Sequence, residues 1–132
     1  MLENFTNEQL QILKNYLEDS NYYSTLEEFK RTFENCSEKT EQIGKLTKKS
    51  YYKEITEEYT NVFLSVIYYN DKVILFTTGC DNYDNYDYIE TGYLLENDNM
   101  IIYTFNKIYS IPIFTKININ TGKVEPVYLK NM

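Results

Sequence analysis

The stretch Asn61–Thr78, NVFLSVIYYNDKVILFTT, decides the fold. Two runs, Asn61–Tyr69 and Lys72–Thr78, are dense in β-branched and aromatic residues, which suit a pleated, well-packed surface. Between them stands Asn70-Asp71, a pair that tolerates the positive φ of a type I′ turn and so predicts a tight hairpin. Both runs are almost continuously apolar, as expected of central strands covered on both faces.

Something upstream has to supply one of those covers. Thr6-x-x-Gln9 fits a capping box, with Phe5 and Leu10 placed to form a hydrophobic staple across the helix start. Leu10, Leu13 and Leu17 then recur at helical spacing, with fading near Asp19–Asn21. A second start signal follows, Ser24-x-x-Glu27 or Thr25-x-x-Glu28. Leu26, Phe29, Phe33 and Cys36 form the apolar stripe of a helix expected to end near Asn35–Ser37. Two amphipathic helices joined by a short link predict an αα-hairpin whose stripe lies on the sheet.

From Glu38 to Glu58 the pattern fits a helix interrupted near Gly44, or a helix followed by an irregular strand. Lys45, Lys48, Lys49 and Lys53 make this the basic part of the chain, best read as a solvated helix face with Glu partners. Downstream, Tyr88–Leu95 and Met100–Phe105 flank a turn at Glu96–Asn99, and Ile108–Asn118 and Lys123–Leu129 flank Asn120-Thr121-Gly122. Pro112 and Pro126 lack ladder donors, so their strands belong at an edge or a bulge. The expected architecture is one α+β domain. An N-terminal helical hairpin of two or three helices (about residues 1–58) packs on a five- or six-stranded antiparallel sheet of consecutive hairpins (about 59–132).

The 132 residues suffice for a single hydrophobic core. No run approaches the roughly 20 apolar residues of a membrane-spanning helix. The N-terminus MLENFTNEQL carries an acid where a secretory signal carries bases, so the cytoplasm of the producing or infected cell is the expected location. Cys36, on a helical stripe, reads as a small buried hydrophobe, and Cys80 beside Asp81 is poorly placed for a thiolate. Tyrosine, asparagine, isoleucine and lysine abound while alanine is absent. That bias is what AT-rich codons produce, so tyrosine abundance alone says little about binding.

Charge is more informative. Gly79–Met100, GCDNYDNYDYIETGYLLENDNM, holds six carboxylates, four tyrosines and no base, and carries six of the chain's seven units of net negative charge. Its repeat Asp81-Asn-Tyr-Asp84-Asn-Tyr-Asp87 has acids every third residue and lacks the central glycine of an EF-hand, which argues against a calcium loop. Repulsion between the acids and the poor helix propensity of Asp and Asn predict a protruding loop between strands.

The chain has no histidine, so Ser-His and Cys-His nucleophiles and histidine-based zinc sites are excluded. Its scattered glycines build no phosphate loop. The expectation is therefore a non-enzymatic, acidic protein-binding module without cofactor or metal. The expected contact set is Asp81, Tyr83, Asp84, Tyr86, Asp87, Tyr88, Glu90, Glu96 and Asp98, facing the basic surface of a protein partner such as a nuclease, with no direct nucleic-acid or membrane contact. Carboxylates in series imitate phosphates, and tyrosines supply contact area. In size, charge and codon bias the chain resembles immunity proteins against nuclease toxins and phage-encoded inhibitors of restriction or CRISPR nucleases. The alternative is a small-ligand-binding or weakly catalytic domain with a pocket between helices and curved sheet, using Tyr68, Tyr103 and Tyr109.

Overall fold

Local signals set the first two elements. In the computed structural model, which describes the backbone of residue 2 and of residues 4–19, 25–55, 60–82, 88–106 and 111–127, helix α1 spans Asn7–Asp19. Its capping box is complete: the Gln9 amide donates to Thr6 Oγ1 at 3.1 Å and the Thr6 amide to Gln9 Oε1 at 2.9 Å. Gln9 also donates through Nε2 to the carbonyl of Val73, tying the helix start to the sheet. Helix α2 spans Leu26–Thr32, with Thr25 as its N-cap accepting from the Glu28 amide at 3.1 Å. It stops a few residues short of the expected end, and Asn35 at φ 59° turns the chain into the first strand.

Residues 38–58 depart most from expectation. Within that stretch the described residues form strands β1 (Ser37–Ile43) and β2 (Leu46–Ile55), paired antiparallel around Gly44-Lys45. Gly44 has φ 58°, a conformation glycine adopts without steric penalty, so it closes a hairpin where a helix reading sees an interruption. The lysines therefore alternate across a pleat. Lys48 is buried on one face, whereas Lys49 lies over the Tyr68 ring and Lys53 donates to the Glu34 carbonyl beside α2.

β3 (Thr60–Tyr69) and β4 (Lys72–Asn82) form the expected hairpin, and both turn residues have positive φ, Asn70 at 49° and Asp71 at 63°. β5 (Tyr88–Glu96), β6 (Asn99–Asn106), β7 (Ile111–Asn118) and β8 (Val124–Val127) follow. Both prolines fit their strands. Pro126 is on the edge strand β8, and Pro112 lies beyond the described stretch of β7 that β8 pairs.

The strands do not make one five- or six-stranded sheet. They make two four-stranded antiparallel sheets, ordered β1-β2-β3-β4 and β5-β6-β7-β8. The reason lies in β3 and β4, which are apolar on both sides. Leu13, Phe29 and Phe33 of the helical part pack with Tyr51, Val62, Leu64, Val66 and Val73 on one face of the first sheet. Ile43, Leu46 and Ile67 on the other face pack with Met100, Ile102 and Ile117 of the second sheet. Extending the first sheet edgewise would leave that second apolar face wet; stacking another sheet on it buries the face. A bulge in β4, where the pairing shifts between Ile67 and Tyr68, sends both Ile74 and Leu75 toward the second sheet.

Hairpin turns hold the two sheets together at one end. The Lys45 amide of the first sheet donates to Ile119 O of the second at 2.9 Å, and within the second sheet the Ile119 amide donates to Asp98 O at 2.9 Å. Tyr69 Oη donates to Asn120 O at 3.2 Å.

Candidate functional site

The base-free segment 79–100 occupies a distinctive place in this architecture. β4 ends the first sheet and β5 begins the second, and each is the outermost strand of its sheet. The acidic stretch thus contains the connection between two sheet edges and continues through β5 into the next turn. Asp81 lies at the end of β4, opposite Asn61, and Tyr88 and Glu90 lie on β5, opposite Asn106 and Thr104. Tyr83, Asp84, Tyr86 and Asp87 fall outside the described residues, as does the expected protruding loop.

Glu96 and Asp98 sit elsewhere. Both are exposed at the β5–β6 turn, where Asn97 has φ 56°. From Tyr88 to Glu96 the chain runs the length of β5, about 27 Å at the rise of an extended strand. The five expected contact residues whose backbone is described therefore divide into two groups. Asp81, Tyr88 and Glu90 border the connection, while Glu96 and Asp98 belong to the turn end that locks the sheets.

β5 is the outer strand of its sheet, and β4, the outer strand of the other, runs near it. Acids are placed along β5, and its register shifts between Glu90 and Gly92.

Elsewhere acids meet bases locally. Lys39 Nζ is 2.8 Å from Glu41 Oε1, and Glu125 is held by Lys123 at 2.8 Å and Lys116 at 3.4 Å. The hydrogen bond from Lys39 is the main cause of a lowered Glu41 pKa, and the bond from Lys123 acts likewise on Glu125. Among the described residues no cluster of three potential ligands could hold a metal ion. No described helix is long and apolar enough to cross a membrane.

Two cavities bear on ligand binding. A 650 Å³ cleft lies between the helices and the first sheet, lined by Leu10, Leu26, Phe33, Cys36 and Tyr51, with Lys30 and Glu38 contributing charge. Of the expected ligand tyrosines, Tyr68 is not among its described lining. It lies against the core and lines a separate 440 Å³ cavity with Lys45 and Lys49. The Tyr103 side chain and Tyr109 fall outside the described residues.

Sequence reasoning passed over a third, smaller cavity of 130 Å³ on the opposite face of the first sheet, lined by Lys48, Ser50, Phe63, Ser65 and Thr77. One signal was available, a lone serine at the centre of the apolar run NVFLSVIYY. No family model, no curated protein and no solved structure matches this chain.

Proposed function

We propose that this protein is a non-enzymatic binding module whose acidic connection between β4 and β5 occupies the basic surface of a protein partner. A nuclease or other nucleic-acid-binding protein is the kind of partner that presents such a surface, as in immunity and anti-defence inhibition. The observation that carries this reading is the coincidence of charge and topology. Six of seven net negative charges lie in a base-free segment, and four of its six carboxylates, Asp81, Asp84, Asp87 and Glu90, fall in or beside the link between the outer strands of two sheets. Such an array speeds encounter with a cationic partner, and its tyrosines add contact area once docked.

The experiment is a pull-down from host lysate with the full chain at low and high salt, read by mass spectrometry. A nucleic-acid-binding protein captured at low salt and released at high salt supports the reading, because screening weakens exposed charge pairs. No partner at either salt refutes it.

A second reading, a small-ligand-binding or weakly catalytic domain, is favoured by the 650 Å³ cleft between helices and sheet. Saturable stabilisation by a ligand, abolished by Tyr51→Ala at the cleft wall, would select it instead.

A further inference from the structure

The two sheets have four outer strands, β1, β4, β5 and β8, and three of them are poorly suited to pairing with another chain. β8 spans only Val124–Val127 and carries Pro126, which has no amide to donate. β5 shifts register between Glu90 and Gly92, and β4 runs near it. β1 has none of these features. Its seven residues, Ser37–Ile43, pair with β2 in unbroken register and include no proline or glycine. Ser37, Glu38, Lys39, Thr40 and Gln42 are exposed, and nothing among the described residues covers the free side of the strand.

The hairpin turn fixes which backbone groups face that free side. Ile43 and Leu46 flank a two-residue turn and exchange both backbone hydrogen bonds. Every second pair along the ladder does the same, so Glu41 bonds Lys48 and Lys39 bonds Ser50. The amides and carbonyls of the residues between them, Glu38, Thr40 and Gln42, therefore point away from β2. Such an edge takes up an extended chain by strand addition.

Charge decides which chain fits. A second copy of β1 running antiparallel can be centred on several positions. Centred on residue 39 it sets Lys39 against Lys39 of the second copy, and centred on residue 41 it sets Glu41 against Glu41. Like charges directly opposite disfavour both registers. Centred on Thr40 it sets Lys39 against Glu41 of the second copy at two symmetric places. Both are non-hydrogen-bonded pairs, where facing side chains come closest. Within one strand Lys39 Nζ already lies 2.8 Å from Glu41 Oε1, so the two strands close a square of alternating charge. The same register sets Thr40 against Thr40 and Glu38 against Gln42, and every outward-facing amide then meets a carbonyl.

We propose that β1 is the interface of a symmetric homodimer, in which two copies pair edge to edge about Thr40. Their two four-stranded first sheets become one continuous sheet. A twofold contact needs a surface complementary to itself, and Glu38–Gln42, EKTEQ, meets that need because lysine at 39 answers glutamate at 41. β4 is the strand of the first sheet farthest from β1. The two acidic connections therefore lie at opposite ends of the joined sheet, and dimerisation uses a different surface from theirs.

The test is sedimentation equilibrium of the full chain from about 1 μM to about 1 mM, the span of moderate to weak association. Physiological salt screens the repulsion between two chains of net charge −7. The mass should rise from 15.9 kDa toward twice that value. Hydrogen exchange followed by NMR locates the contact. Exchange at the Glu38, Thr40 and Gln42 amides should slow as concentration rises, whereas the Lys39 and Glu41 amides, already bonded to β2, should not change. Lys39→Glu sets glutamates against each other at both places and should weaken the dimer about tenfold or more. Lys39 is exposed, so that variant keeps its fold and its urea midpoint reports any loss. Thr40→Pro removes an outward amide and spares the bonds to β2, and it should weaken the dimer as much. The proposal is overturned by a chain that stays monomeric throughout, by a dimer without the alternating protection along β1, or by unchanged affinity in Lys39→Glu.

Discussion

Gly122→Ala tests how the two sheets are joined. Gly122 has φ 74°, and a Cβ there would lie 2.6 Å from Cγ of Tyr69 and 2.9 Å from its Cδ1. The left-handed conformation alone costs an alanine about 1–2 kcal/mol. The contact adds more, because the ring is wedged among apolar neighbours and donates to Asn120 O at 3.2 Å. Moving the ring forfeits that hydrogen bond, about 1 kcal/mol, together with some packing. The total is about 2–4 kcal/mol, or roughly 8–15 °C in Tm for a chain of this size. Urea unfolding should show the midpoint falling with the slope unchanged. Repeating Gly122→Ala in a Tyr69→Ala background separates the causes, since without the ring only backbone strain of about 1–2 kcal/mol should remain. A loss below about 1 kcal/mol in the parent, or the same loss in both backgrounds, would refute the packing of Tyr69 on the β7–β8 turn.

Three further outcomes are expected. Leu13→Ala and Ile117→Ala, each replacing a fully buried side chain from opposite outer layers, should each cost about 2–5 kcal/mol within a single unfolding transition; two separate transitions would argue against a shared core. Gln9→Ala loses both the capping contact and the bond to Val73 O and should cost about 1–2 kcal/mol by urea titration. Glu41 has its pKa lowered in the folded state, chiefly by the hydrogen bond from Lys39. Its contribution is therefore present above the ordinary carboxylate value near 4.3 and lost as pH falls through the folded value. The stability difference between wild type and Glu41→Gln should accordingly shrink with acidification; a constant difference would contradict this.

What was legible in the sequence tracks how local the cause is. Capping at Thr6 and Thr25, the Asn70-Asp71 turn and the two-sided burial of β3 are written in neighbouring residues, and each can be read directly. The β1–β2 hairpin is harder, because its charged residues (Glu38, Lys39, Glu41, Lys48, Lys49) suit a solvated helix as well as an outer strand. Only pairing with β3 gives Lys48 and Lys49 opposite environments. The second sheet is harder still. Nothing in β4 or β5 alone states whether they pair edge to edge or belong to stacked sheets, and that choice rests on Ile67, Met100, Ile102 and Ile117 meeting across the interior. The acidic segment was visible as charge, but its division between a sheet-to-sheet connection and a distant turn depends on the length of β5. The buried Ser65 shows in the sequence only as one polar residue in an apolar run, and the burial of Lys48 among neighbouring lysines depends on strand register.

The proposed function requires the acidic connection to be a contact surface. The direct measurement is the affinity of the captured partner for wild type and for Asp84→Lys/Asp87→Lys, across a range of salt concentrations. The variant should bind at least tenfold more weakly at low salt, converge with wild type as salt rises, and keep its urea midpoint. Equal affinity of the two proteins at low salt would contradict it.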